Sequence, residues 1–226
     1  MPPTEPYDTE GAIAGLVAGF RVFRTRNYGQ HGGHMRELAT HGQSPEVMIV
    51  ACSDSRVDPA LLLGAQPGDL FTVRNVANLV PPYSPDSAYH GTSAALEYAV
   101  RDLAVRHIVV LGHSACGGIQ ALRAAASGSA VEREFINPWM QIAAAACPCS
   151  DGEPVPDQQS VEHDGIRISL ENLRSFPWVD EQIRAGRLTL HGWWVELMEG
   201  RLCQIAPEGG IMELVPATTE VSGAAD

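Results

Sequence analysis

Two short runs in this chain are apolar at nearly every position, and each breaks off into chemistry. "EVMIVAC" ends at Cys52, and "RHIVVLGH" ends at His113, with Cys116 following in "GHSACGG". A nearly all-apolar run of this length reads as a strand covered on both faces, which is the habit of parallel sheets. Helical spacing lies between and around the two runs, in "DSAYHGTSAALEYAVRDLA" and "GIQALRAAA". Strand–helix–strand order of this kind predicts an α/β fold with a central, mostly parallel β-sheet flanked by helices. Parallel strands line up their carboxyl ends along one edge, where such sheets bind ligands. If the two strands are neighbours, Cys52, His113 and Cys116 converge there.

The rest of the chain adds to both ends of this frame. In "GAIAGLVAGFRVFRTRNY" the apolar residues Ile13, Leu16, Val17, Phe20 and Phe23 recur at helical spacing. They predict an N-terminal helical arm with a stripe to bury, on its own domain or on a neighbouring subunit. A second short helix is expected in "GHMRELATHG", closed by Gly42. "GDLFTVRNVAN" reads as a strand, and "VEREFINPWMQIAAAAC" as a helix interrupted near Pro138, with the alanine run 143–146 helical. "SVEHDGIRISLENLRS" and "PWVDEQIRAG" read as helices, the second closed by Gly186. "RLTLHGWWVELMEGRLCQIAPEGGIMELV" alternates and carries turn signals, which predicts a C-terminal extension of two or three strands. No linker divides the chain, so a single domain is expected over residues 1–226, with loose tails at 1–9 and about 217–226.

Composition narrows the function classes. Hydrophobic residues make up 45% of 226, enough for one sizeable core. The formal net charge is −12, and there is no basic tract. A nucleic-acid partner is therefore not expected, and an anionic membrane surface would repel the chain. No apolar run reaches the roughly 18 residues of a spanning helix. The start, "MPPTEPYDTEGAIAG", lacks the basic and apolar regions of a secretory signal. Five cysteines are an odd, sparse set rather than a disulfide framework. A reducing, cytoplasmic location is the expectation.

Two thiolates and an imidazole form the Cys2His set of catalytic zinc, with the fourth position left open. The C-x-D-x-R spacing adds to it. In extended backbone alternate side chains share a face, so Asp54 and Arg56 can meet near Cys52. Arg56 would hold the carboxylate by paired hydrogen bonds. Asp54 would then stand beside a metal-bound water, whose pKa zinc lowers to roughly 7.

With both motifs in view, "CSDSRVDP" and "GHSACGG" together resemble the β-class carbonic anhydrases, of the plant-like type with an open zinc site. The resemblance extends through "QPGDLFTVRNVANLVPPY", "ALEYAV" and "LHGWWVELMEGRL". It implies reversible hydration of carbon dioxide to bicarbonate and a proton. It implies one Zn2+ per subunit, held by Cys52, His113 and Cys116, with Asp54 and Arg56 as the catalytic dyad. Gln43 and the backbone N–H of Gly117 would bind on the substrate side. Phe71, Val76 and Tyr98 would line an apolar pocket contributed by the adjoining subunit. A homodimer, able to assemble further, follows from that borrowed wall. Members regulated by bicarbonate carry a tryptophan where this chain has Ile49, and a tyrosine where it has Val195. Both departures argue against that type. Arg74 also serves in the switch and is present, so it alone decides nothing.

The remaining candidates have simpler readings. Cys147 and Cys149 bracket Pro148 and read as loop thiols, and Cys203 as core. His31, His34, His41 and His90 read as surface residues, His191 as a packed strand residue, and Trp193–Trp194 as core or interface. A cysteine-dependent phosphatase would need an arginine where this chain has Asp58, which would repel phosphate. A carbonyl sulfide or carbon disulfide hydrolase could use the same zinc site. A non-catalytic zinc-binding homologue would have no use for the intact dyad and Gln43.

Overall fold

Six strands carry the second part of the chain: β1 (Val47–Cys52), β2 (Leu70–Asn75), β3 (His107–His113), β4 (Thr189–Glu196), β5 (Arg201–Ile205) and β6 (Ile211–Val215). They form one sheet in the order β2-β1-β3-β4-β5-β6. The pairs β1–β2, β1–β3 and β3–β4 are parallel, and β4–β5 and β5–β6 are antiparallel. This computed structural model describes residues 9–28, 33–86, 88–129, 131–148 and 154–217. The expected tails, His31 and Cys149 lie outside the described residues, except for Thr9 and Ala217. By their contacts the described residues fall into two units, within residues 1–43 and 44–226.

The first unit holds helices α1 (Thr9–Tyr28) and α2 (His34–His41). Gly42 closes α2 at φ +83°, a conformation glycine adopts without a Cβ clash. The stripe Ile13, Leu16, Val17 and Phe20 is exposed in the single chain.

In the second unit the helices are α3 (Pro59–Leu63), α4 (Gly91–Glu97), α5 (Gly117–Ala126), α6 (Ile136–Met140), α7 (Gln158–Ser175) and α8 (Pro177–Arg184). β1 is buried on both faces, as its composition requires. Met48 and Val50 pack with Ile108 and Val110 under Ile166, Leu170 and Leu173 of α7. Ile49 and Ala51 pack with Val109 and Leu111 on the other face. There the cover is Leu63 of α3 and strand side chains such as Trp193, Val195 and Leu202. Two glycines let α7 sit close on the sheet. A Cβ on Gly112 would come within 2.8 Å of Ile166, and one on Gly192 within 2.7 Å of Ile166 and 2.9 Å of the Ile205 carbonyl.

Some local expectations shift. The segment expected as one helix through 131–147 starts only at Ile136. Pro138 falls in its first turn, where a missing N–H costs nothing. The break comes after Met140, where the chain tightens to a 3-10 helix over Gln141–Ala146. Cys147, expected as a loop thiol, is instead buried with Met140, Ala143 and Val161, because the end of that 3-10 helix turns it inward. Helix α4 passes into a wider π-type turn at Tyr98–Asp102. Helix α3 was not expected; Asp58 caps it, accepting from the Ala60 and Leu61 N–H groups, with Pro59 at its first position. His191 is indeed a packed strand residue, its Nε2 3.2 Å from His107 Nδ1. Trp194 and Cys203 are core. No helix among the described residues is long and apolar enough to cross a membrane.

Gly192→Ala should cost about 1–3 kcal/mol, because one of the atoms in the way is backbone and cannot swing aside. Urea denaturation of the purified protein measures this. Gly15→Ala, with open space around it in α1, should not destabilise.

Candidate metal centre

Register brings the three soft donors together. Ala51 of β1 is level with Leu111 of β3, so both strands finish at the same edge. His113 closes β3, and Cys116 stands at the N-cap of α5. The Sγ atoms of Cys52 and Cys116 are 4.0 Å apart, and the ligand atoms of Cys52, His113 and Cys116 all lie within 4.8 Å of one another. Two thiolates on one tetrahedral zinc, each at about 2.3 Å, would stand about 3.8 Å apart. All three residues are buried. His113 Nδ1 donates to the Ser114 carbonyl at 2.9 Å, which leaves the Nε2 lone pair pointing inward, buried and without a hydrogen-bond partner. A buried acceptor left unpaired is costly, and a cation is what would satisfy it. The donor set therefore fits zinc.

The electrostatics agree. The Cys52 thiol is lowered, first by the Cys116 thiol beside it and also by the N–H groups of Asp54 and Ala77, against the opposing effect of burial. The Cys116 thiol is pushed up by that same neighbour and by burial. Two thiols this close favour losing a proton, which is what binding a cation requires.

The loop after Cys52 is tied down by two arginines. Asp54 Oδ1 accepts from the Arg56 N–H and Nε, each at 2.9 Å, and Oδ2 accepts from Nη2 at 2.7 Å. This bidentate grip holds the Asp54 carboxyl well below the usual carboxylate range. Arg56 Nη2 also reaches the Ala115 carbonyl at 3.2 Å, across to the other ligand loop. Arg74, on β2, donates to the Cys52 carbonyl at 2.9 Å, the Asp54 carbonyl at 2.7 Å and Asp58 Oδ2 at 2.9 Å. Asp58 therefore has a structural task beyond repelling phosphate.

A third segment completes the wall. Asn75 accepts from the Leu79 N–H and donates to the Leu79 carbonyl. That clamp holds a turn in which Ala77 and Asn78 have φ of +64° and +50°. It is this turn that aims the Ala77 N–H at the Cys52 sulfur. Between His113 and Cys116, Ala115 is also left-handed, at φ +55°. Behind that loop lies Glu162 of α7, a buried acid with no signal in the sequence beyond its helical spacing.

The expected pocket residues divide. Val76 adjoins the cluster, its side chain against Gly118 at the start of α5. It opens onto a groove of about 770 Å³ shared with Tyr89, Phe135, Trp139 and Ile142. Gly117 faces open space. Phe71 and Tyr98 have rings 5.8 Å apart, but they lie away from the cluster. Phe71 is level with Met48, so about 13 Å of strand separates it from the level of Cys52. One chain does not bring these two residues to the metal ligands. Gln43 is exposed at the end of the first unit.

Fold and site define an α/β protein with a mostly parallel sheet and a buried Cys2His cluster at the ends of its parallel strands. The chain belongs to the β-carbonic anhydrase family. The family model described as carbonic anhydrase matches residues 47–202. Beta carbonic anhydrase 5, chloroplastic, of Arabidopsis thaliana is 41% identical over 80% of this chain, and beta carbonic anhydrase 3 of the same plant is 37% identical over 84%. The chain spans 60% of the length of the first and 75% of the second. Among solved structures, the β-carbonic anhydrase CcaA matches with a TM-score of 0.76 and 29% identity, over 89% of this chain and 99% of that one. A tetrameric β-carbonic anhydrase from Sordaria macrospora matches with a TM-score of 0.71 and 28% identity, over 92% of this chain and all of that one.

Arg74→Ala should lower stability by about 1–3 kcal/mol, since it removes three hydrogen bonds that tie β2 to the loop after Cys52. Arg74→Lys should recover only part, because a single ammonium cannot span the same three acceptors. The urea midpoints of the two variants check this.

Proposed function

We propose that this protein catalyses the reversible hydration of carbon dioxide to bicarbonate and a proton, with one zinc per chain held by Cys52, His113 and Cys116. The observation that carries the reading is the buried His113 Nε2 without a partner, facing two thiol sulfurs 4.0 Å apart. Zinc in an open three-ligand site supplies a Lewis acid that brings the pKa of water near 7, as in the three-histidine carbonic anhydrases.

The chain's own residues do the rest. Asp54, fixed by Arg56, is an acceptor through the working pH range, so it takes a hydrogen bond from the attacking water and orients it. Arg56 keeps that carboxylate at the mouth of the site rather than on the metal. The Gly117 N–H, at the open start of α5, and Gln43 are assigned to the substrate oxygens. Val76 offers an apolar wall to a nonpolar substrate.

We place Phe71 and Tyr98 in the pocket of a second copy of the chain, which makes the working unit a homodimer. The exposed stripe on α1 supports an arm that packs on a partner, and a tetrameric relative supports further assembly. A reducing, cytoplasmic location suits thiol ligands that must stay reduced.

Stopped-flow carbon dioxide hydration with metal analysis tests the reading. The purified protein should hold close to one zinc per chain and be active. Zinc-loaded, folded protein with no hydration activity would sink the proposal, and activity on carbonyl sulfide or carbon disulfide alone would replace it with the sulfur-analogue reaction. Removing zinc with a chelator should abolish turnover, and adding it back should restore it. Cys52→Ser should lose the metal. Asp54→Asn should keep the metal while kcat/KM falls by about a hundredfold; full activity in that variant would remove Asp54 from the mechanism.

A further inference from the structure

Glu162 is a buried carboxylate that the proposed reaction does not use. It is 4% exposed and points from the first half of α7 into the back of the loop that carries His113 and Cys116. Its hydrogen-bond donors are three neutral N–H groups. Oε1 accepts from the Cys116 peptide N–H at 3.0 Å and from Gln158 Nε2 at 2.7 Å, and Oε2 accepts from the Trp194 indole at 3.0 Å. Gln158 Nε2 also donates to the Cys116 carbonyl at 3.1 Å. Both polar groups of the Cys116 backbone are thus gripped from one turn of α7. A side chain that only tied α7 to the sheet would need the indole and nothing more.

The chemistry of the residue is dictated by its partners. Three donors converge on two oxygens, so the group must offer two acceptors and no donor. Only a carboxylate does so. A glutamine would turn an N–H toward the indole N–H and leave two buried donors facing each other. The loop it holds needs holding, since Ala115 is left-handed at φ +55°. Ser114 is tied to β4 and the turn after it through the Val195 carbonyl, Glu196 and the Leu197 N–H, and Arg56 Nη2 holds the Ala115 carbonyl. Glu162 is the side chain that accepts from the Cys116 N–H.

We propose that Glu162 is a positioning residue for the metal centre: by clamping the Cys116 peptide to α7 and β4 it sets how long the metal is kept. The inference rests on the zinc reading above. Groups that hold a ligand in place characteristically change metal affinity by about 10–100-fold when altered.

The test is the rate at which the zinc-loaded protein gives up its metal to excess chelator, read beside the melting temperature of the metal-free form. Glu162→Gln alone carries the donor clash, so the informative pair is Trp194→Phe and Trp194→Phe/Glu162→Gln, in which the clashing indole N–H is gone and the charge-assisted grip on the Cys116 N–H is weakened to an ordinary amide hydrogen bond. Relative to Trp194→Phe, the double variant should lose zinc about tenfold faster or more, with little change in the melting of the metal-free form. Its cobalt-substituted form should show shifted d–d bands. Gln158→Ala, which removes the bonds to the Cys116 carbonyl and to Glu162, should also lose zinc faster. Zinc loss within twofold of the reference in both the double variant and Gln158→Ala overturns the proposal, as does a drop in metal-free melting with zinc loss unchanged. Wild-type protein that holds zinc without hydrating carbon dioxide would refute the reaction while leaving the retention measurement decisive. Wild-type protein that holds no zinc overturns both.

Discussion

Two sulfurs 4.0 Å apart and an imidazole, all buried, are an arrangement a chain must hold against its own packing. Buried charge is costly unless donors surround it. Beside the neighbouring thiol, peptide N–H groups face the sulfurs: those of Asp54 and Ala77 at Cys52, and those of Gly118 and Ile119 at Cys116. Much of the nearby backbone follows from that demand. The left-handed residues Ala77 and Asn78, at roughly 1–2 kcal/mol each, are conformations a chain accepts only where something fixes them. The Asn75 clamp fixes that pair. Gly118 is glycine because a Cβ there would press within 2.9 Å of both Val76 and Ala77.

How much of this was legible beforehand follows from how far each interaction reaches along the chain. The strands showed themselves because burial on both faces forces an unbroken apolar run. The ligands showed themselves because each such run ended in a soft donor, and the Asp54–Arg56 pair because its partners stand two residues apart. Arg74 was read only through the resemblance, since its acceptors lie on another strand and its loop. Glu162 was invisible: in a polar, amphipathic helix a glutamate looks like a solvated residue until tertiary packing puts an indole and a ligand's peptide in front of it. The short helix α3 is set by the Asp58 cap, which apolar periodicity does not report.

The two ends of the parallel strands have separate roles. The carboxyl ends gather the Cys52–His113–Cys116 cluster, the Asp54–Arg56 pair and Val76. Four residues earlier on β1, at the level of Met48, Phe71 and Tyr98 make a small aromatic surface with Tyr98 half-exposed. In a single copy these features are too far apart to share a substrate, so the proposed pocket is divided between chains. The single-chain geometry is that of a site with its metal side built and its apolar side outstanding.

Helix α7 joins regions usually treated apart. Its first turns present Gln158 and Glu162 to the Cys116 peptide, and one turn on, Ile166 and Leu170 lie against the bare backbone of Gly112 and Gly192. A rigid helix cannot move its second contact without moving its first. The core and the metal centre therefore share one mechanical tolerance. With zinc bound as proposed, packing faults in the middle of the sheet would surface as metal-poor protein well before they surfaced as unfolded protein.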